Sequence, residues 1–532
     1  MAALRMSART EPIAPGTLMA VAAMALAVLV IANDFSALSV ALPSIQHDLN
    51  ADVPSVQWVM SAYALVFGVF IVTGGRLADV FGRRRIFFTG TAIFATFSVA
   101  GGAAQDNGWL IGARALMGIG GAMMWPAILG LTYAALGESR AALAGALIIG
   151  VSGIGSAFGP LLGGFLVNLA SWRWILFLNL PIAAVASLVT WAKVHPPPPT
   201  PYRERIDYVG ILTLSLGLLS LLLALDQGND WGFGDPRIAL LIGAFAMLIG
   251  AFVAVERRAR AHALVPPDVV RNPEFAGVGL AILLLSASSF AAPLYLPVFL
   301  REILGYSALA TGAALLPLMG VSAVFSFASG PLYARFGPKV VTSAGACAMA
   351  LGILLLAATL GQSRYPPLVP GLALLGLGIG LFVSAATTAG VTALGPARRS
   401  LAGGILFMIQ LVGGSVGLGL TTAVFTAASH ARVHEDRLAG LLTAGQEHAV
   451  TGLVATTGFA EQVVQRFPED AARLESLARA AFISGIRTSF TVVAILGAAG
   501  LLVTALWVGG RPSPRVPERI GAVRRPGSER GR

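Results

Sequence analysis

Two charged side chains fall inside long apolar stretches of this 532-residue chain: Asp34 within 17–42 and Arg114 within 109–133. Charge at such depth is costly, usually paired, and by default functional. Asp34 stands eight residues before Leu42, and Arg114 five residues after Trp109. With both segments helical and those ends together, a rise of about 1.5 Å per residue puts the groups ~12 and ~8 Å below one surface. That is close enough for a direct or water-bridged pair. The cation and the apolar surroundings pull the protonation of the carboxyl in opposite directions. An aspartate so poised can load a proton on one side of a membrane and release it on the other; a purely structural ion pair is the plain alternative.

A second acid stands among arginines in Gly75-Arg76-Leu77-Ala78-Asp79-Val80-Phe81-Gly82-Arg83-Arg84-Arg85. Acid and bases at a turn between helices make ion pairs that can form and break, and the glycines Gly75 and Gly82 permit close backbone approach. A weaker echo, Gly330-Pro331-Leu332-Tyr333-Ala334-Arg335-Phe336-Gly337-Pro338-Lys339, implies two related halves. A third feature is the stripe Gly155, Gly159 and Gly163, four residues apart, with Pro160 and Gly164 beside it. Such a stripe lets another helix approach closely, and Pro160 bends its own helix. It is expected at the interface between the halves.

These residues need a membrane to make sense. Hydrophobic residues are 56% of the chain, charged residues only 11%, and the mean hydropathy is +0.79. Runs long enough to span a bilayer lie near 17–42, 58–75, 86–104, 109–133, 141–166, 174–192, 207–226, 238–255, 275–299, 308–330, 340–360, 368–391, 402–426 and 489–508. Fourteen spans make an all-α polytopic membrane protein. Arginines and lysines crowd one set of connections (Arg5, Arg9, Arg83–Arg85, Arg140, Arg257, Arg258, Arg398, Arg399 and seven arginines after 510), while the other set holds Arg173, Arg237, Arg301 and Arg364. The bias puts both termini in the cytoplasm. Seven of eight tryptophans lie near span ends; Trp125 lies well inside the fourth span. Residues 427–488 read as a long outer connection with an amphipathic helix over 460–482.

Several chemistries are excluded or disfavoured. The net charge of +11 has no polar domain to carry nucleic acid. Without a Gly-Lys pair there is no phosphate-cradling loop of the G-x-x-x-x-G-K-[ST] kind. Gly376, Gly378 and Gly380 sit inside an apolar run, where helix packing is their expected role. His430 and His434 have metal-ligand spacing but no evident third ligand, so they read as loop residues. The single cysteine, Cys347, rules out an internal disulfide. No catalytic residue, metal or cofactor is expected.

At these residues the chain resembles a known family. Segment 75–85 resembles the loop signature of the major facilitator superfamily, and Gly150–Gly164 resembles its antiporter motif. Leu110–Gly121 is similar to its fourth-helix motif, which implies a proton-transfer role for Arg114. Asp34 with Val40–Ile45, Gln57-Trp58-Val59, Ala62-Tyr63 and Ser171–Pro181 narrow the likeness to fourteen-helix drug:proton antiporters of the EmrB/QacA type. The resemblance implies the major facilitator fold. It has an N-terminal six-helix bundle (1–200), an extra helix pair (201–265) and a C-terminal six-helix bundle (266–532) ending in a basic tail. It implies a proton-driven exporter of small molecules working by alternating access, possible contact with a periplasmic adaptor, and the plasma membrane as its location. Two departures matter: Val80 replaces a basic residue, and the tenth and thirteenth spans lack acids, leaving Gln410 as a polar group for a substrate cavity. Neutral, lipophilic or singly charged compounds fit best. A dedicated exporter of one metabolite or self-made antibiotic, and a sensor on the same scaffold, remain open alternatives.

Overall fold

The computed structural model describes residues 13–194, 207–232, 234–259, 263–454, 467 and 469–509. The proline run 196–199 and the basic tail after 510 lie outside them. The first half contributes α1 (Pro15–Asp48), α2 (Val53–Phe81), α3 (Arg83–Gly102), α4 (Asn107–Leu136), α5 (Ala141–Leu169) and α6 (Arg173–Lys193). The extra pair is α7 (Tyr208–Trp231) and α8 (Pro236–Ala259). The second half follows a short α9 (Pro267–Arg271). It comprises α10 (Pro273–Ser289), α11 (Ala291–Glu302), α12 (Ala308–Ala314), α13 (Leu316–Phe336), α14 (Pro338–Thr359), α15 (Val369–Ala393), α16 (Arg399–Leu438), α17 (Ala444–Val454) and α18 (Ala471–Trp507).

Among the described residues, 13 helical segments are long and apolar enough to cross a membrane. The remaining expected span is α3, whose first turn is Arg83, Arg84 and Arg85 and whose body packs between α4 and α6. Asp52, Asp106 and Asp207 start α2, α4 and α7 by accepting a backbone N–H three residues on. The ninth and tenth spans are each split in two, at Phe290 and at Leu315. Pro293 and Pro317 follow those breaks and cannot donate to the preceding turn.

The repeat is built into the joints. Gly82 (φ 99°) alone separates α2 from α3, and Gly337 (φ 84°) alone separates α13 from α14. The α4–α5 and α15–α16 joints match in the same way, through Gly137 (φ 72°) and Gly395 (φ 75°), each followed by one turn of 3-10 helix. Positive φ is open to glycine without steric cost, so a single residue can reverse the chain at all four places.

Inside the first half, α1 packs on α4, α5 and α6, and α2 on α4. The halves meet where α2 and α4 face α16 and where α5 faces α13 and α15. Helix α7 lies against both α2 and α16, so the extra pair straddles the seam; α8 packs on α7 and is otherwise largely exposed.

The outer connection is a correction. It is not a loop from 427 to 488: α16 runs on to Leu438, Gly440 turns the chain, α17 folds back, and α18 begins at Ala471. The amphipathic stretch expected over 460–482 is, from Ala471 on, the start of α18; residues 460–466 lie outside the described residues. Its helical periodicity was continuous with the last span, and the charges hid the continuity.

Candidate functional site

Asp34 and Arg114 meet. Asp34 Oδ2 accepts from Arg114 Nη1 at 2.5 Å, and both side chains are 0% exposed. Asp34 Oδ1 accepts from Asn179 Nδ2 of α6 at 2.9 Å, and the same amide reaches Ser98 Oγ of α3 at 3.1 Å. Ser98 in turn donates to the Leu176 carbonyl at 2.7 Å. Arg114 Nε donates to the Val59 carbonyl of α2 at 3.0 Å, and its guanidinium lies 4.3 Å from the centre of the Tyr63 ring. Five of the first six helices thus converge on one carboxylate. Two polar groups here, Arg114 Nη2 and the Tyr63 hydroxyl, are buried and have no partner among the described residues. Such groups are rare in structural ion pairs, which tend to satisfy every donor.

The segment Gly75–Phe81 is the last two turns of α2 rather than a loop. Its acid points across the seam. Asp79 accepts from Arg83 (Nε 3.1 Å, Nη2 3.0 Å) and, through Oδ2, from the backbone N–H of Leu401 at 2.8 Å. Leu401 lies in the first turn of α16, where free N–H groups and the helix dipole favour an anion. Arg83 extends the contact by donating to the Gly130 carbonyl at 3.2 Å and the Pro396 carbonyl at 2.5 Å. A Cβ on Gly75 would stand 2.6 Å from the Ser400 carbonyl oxygen, so the α2–α16 contact needs glycine there. Arg84 does not join this latch; it donates to the Trp191 carbonyl at the end of α6, within its own half.

Sequence reading missed the rest of the latch. Buried Arg399 of α16 donates to the Tyr133 carbonyl at 3.3 Å and pairs with Glu138 at 3.4 Å, and the Tyr133 hydroxyl meets Thr388 of α15 at 3.2 Å. A signal existed: Leu136-Gly-Glu-Ser-Arg-Ala-Ala-Leu-Ala-Gly145 and Leu394-Gly-Pro-Ala-Arg-Arg-Ser-Leu-Ala-Gly403 repeat the pattern L-G-x-x-R-x-x-L-A-G. All these cross-half bonds sit at the arginine-rich end. Deeper in, the Trp125 and Phe407 rings meet at a tilt with centroids 4.6 Å apart, and Phe407 also meets Phe67 at 5.5 Å. The interior tryptophan is therefore an aromatic contact between halves, not a member of an interfacial belt. Gln410 lies one turn outward from Phe407, half-buried.

The glycine stripe corrects an expectation. It packs on α1 inside the first half, not on the second half. A Cβ on Gly159 would lie 1.9 Å from Ser36 Oγ, and one on Gly163 2.3 Å from the Ala37 carbonyl oxygen; Gly155 faces Leu29 and Ala32. Gly164 is not constrained, its nearest atom lying 3.8 Å away. Pro160 lies within the same helix. The stripe therefore grips the stretch of α1 that carries Asp34, while α5 meets the second half nearer its start, where Gly150 faces Phe327. Nor is Asp34 the only buried acid. Asp79, Glu256 and Asp436 are buried, and Asp226 of α7 accepts from Ser61 of α2 at 3.1 Å. His434, near the end of α16, pairs with Glu447 of α17 at 2.8 Å.

Comparison with known proteins identifies the family. The Major Facilitator Superfamily profile matches residues 24–418. The puromycin resistance protein of Streptomyces alboniger is 35% identical over 434 residues, covering 80% of this chain and 86% of the relative. The tetracenomycin C resistance and export protein of Streptomyces glaucescens is 31% identical over 515 residues, covering 94% and 93%. The multidrug resistance protein Stp of Mycobacterium tuberculosis is 29% identical over 510 residues, covering 95% and 94%. Among solved structures, the human organic anion transporter TETRAN shares the fold with a TM-score of 0.61 at 15% identity, covering 92% of this chain and 100% of that one. The chain belongs to the Major Facilitator Superfamily.

Proposed function

We propose that the protein exports small lipophilic molecules, neutral or singly charged, in exchange for protons, and that its arginine-rich end faces the cytoplasm of the cell that bears it. The observation that carries the reading is the placement of two Asp–Arg pairs of the first half: one sealed inside it at Asp34, the other at its edge, where Asp79 and Arg83 also bind backbone groups of the second half. Asp34 holds the exchanged proton. When it ionises it takes Arg114 and Asn179 as partners; when it is protonated that pair dissolves and α1 is released from α4 and α6. Asp79, Arg83 and Arg399 shut the cytoplasmic side, as in the present arrangement, and part when the halves rock to open it. Relatives named for puromycin, tetracenomycin C and multidrug resistance support a drug or antibiotic as cargo. The proton gradient supplies the energy, and no cofactor is needed. Any periplasmic adaptor would meet the outer cap formed by α17 and the ends of α16 and α18, while Gln410 is a candidate cavity residue.

The test is transport by the purified protein in proteoliposomes, with labelled puromycin and ethidium as probes and an imposed pH gradient. Accumulation that follows the gradient and collapses with a protonophore is the expected result. Movement of neither probe against its own gradient, in protein shown to be folded, would overturn the reading.

A further inference from the structure

A half-open cavity of about 320 Å³ lies on the side of the first half, behind α1 and between α5 and α6. Its walls include Val30 of α1, Ile154, Phe158 and Leu162 of α5 and Ile182 of α6, all apolar, with Phe158 61% exposed at the rim. One polar side chain lines it, Asn33. That residue is only 7% exposed, and its amide makes no hydrogen bond to any described residue. The amide opens onto the cavity. It offers both a donor and an acceptor to whatever enters.

We propose that this groove is a lateral binding site for small lipophilic molecules that carry one hydrogen-bonding group, entered from the bilayer. Its volume matches the lower end of small-molecule sites, roughly 300–1,000 Å³, which are mostly apolar with a few placed polar groups. A plain acyl chain fits the walls but leaves the Asn33 amide unpaired, so a ligand with a hydroxyl, carbonyl or amine is preferred over the lipid around it. The position is also informative. Asn33 directly precedes Asp34, and Ile182 is three residues from Asn179, the Asp34 partner, on neighbouring turns of α6. A molecule in the groove therefore touches the two helices whose separation the ionised Asp34 controls. The inference rests on the exporter reading only for the source of its ligands, compounds already dissolved in the membrane.

Photolabelling in proteoliposomes separates the possibilities. Three diazirine probes are compared: a medium-chain alcohol, the matching alkane, and a phosphatidylcholine carrying the group on its chain. The alcohol is expected to label the 29–33 and 154–162 peptides more heavily than the alkane. Asn33→Leu lowers alcohol labelling about fivefold, the effect of one lost hydrogen bond, while leaving the alkane unchanged. Asn33→Gln retains the alcohol preference, and Leu162→Trp, which fills the groove, removes labelling by both small probes. Equal labelling by alkane, alcohol and phosphatidylcholine, untouched by Asn33→Leu, would overturn the site and leave ordinary annular lipid. Asp34→Asn keeps the reading of the groove apart from that of the cycle. It should stop coupled transport and leave alcohol labelling in place, whereas a failure of the exporter reading shows in transport alone.

Discussion

Two of the Asp–Arg pairs in the first half, at Asp34 and at Asp79, do different work. Asp34 and Arg114 are sealed inside one bundle, with every partner drawn from that bundle. Asp79 and Arg83 sit at its edge, and besides each other they bind three backbone groups of the second half, at Ser400, Leu401 and Pro396. A sealed pair can change only by changing protonation, because no neighbour moves past it. A pair at the seam can change without titrating, because rocking of the halves takes its partners away. Location relative to the moving boundary, not residue type, separates a proton site from a latch.

Breaking the sealed pair should cost most. Arg114→Ala strands the Asp34 carboxylate in an apolar bundle, and loss of one partner of a buried pair is worth about 3–5 kcal/mol. Thermal unfolding in detergent checks this, and adding Asp34→Asn in the same chain should recover part of the loss. Failure of the second change to recover anything would mean that charge is not the reason for the cost. Asp79→Ala should cost less, about 1–3 kcal/mol, and spend it on conformation rather than folding. Distances between spin labels at the arginine-rich end should widen, with turnover falling more than substrate affinity. Equal losses in both would count against the latch.

The glycine stripe sharpens the contrast within one helix. Gly163→Ala drives a methyl into the Ala37 backbone and should destabilise by about 1–3 kcal/mol, shifting α1 and with it the coupling at Asp34. Gly164→Ala, whose methyl meets only ordinary contact, should stay within about 0.5 kcal/mol. Similar effects of the two would remove the stripe from the account. The smallest effect belongs to the outer cap. The His434 ring and the Arg437 guanidinium hold the Glu447 carboxyl below its usual range. Its contribution to stability is therefore present above the ordinary carboxylate range and fades as pH falls through the lowered value. Glu447→Gln should flatten that acid limb in a pH series of melting curves and leave transport at neutral pH unchanged.

Much of this was legible in the sequence. Buried charge is rare enough that Asp34 and Arg114 announced themselves, and counting residues from the span ends brought them to within ~4 Å of each other in depth. The glycine and arginine pattern at 75–85 marked the latch, but its target did not show, because Asp79 and Arg83 bind backbone groups that carry no side-chain signature. Periodicity reveals the glycine stripe as a face but not which helix lies against it; the interface between the halves was the expectation, and α1 is the partner. The partners Asn179 and Ser98 were unreadable for a related reason, since a neutral polar residue inside a span is common and only geometry gives it a carboxylate to hold. The connection between the last two spans departs from expectation because charged residues do not end a helix: α16 runs on to Leu438 and α18 begins at Ala471.

The central claim is that Asp34 carries the exchanged proton, and exchange assays test it most directly. Asp34→Asn and the parent protein are reconstituted side by side, and two rates are measured with labelled puromycin: accumulation driven by a pH gradient, and counterflow against unlabelled puromycin with no gradient. The account predicts that the variant loses gradient-driven accumulation and keeps counterflow, since substrate exchange does not need the proton. Gradient-driven accumulation in the variant at the parent rate would contradict it.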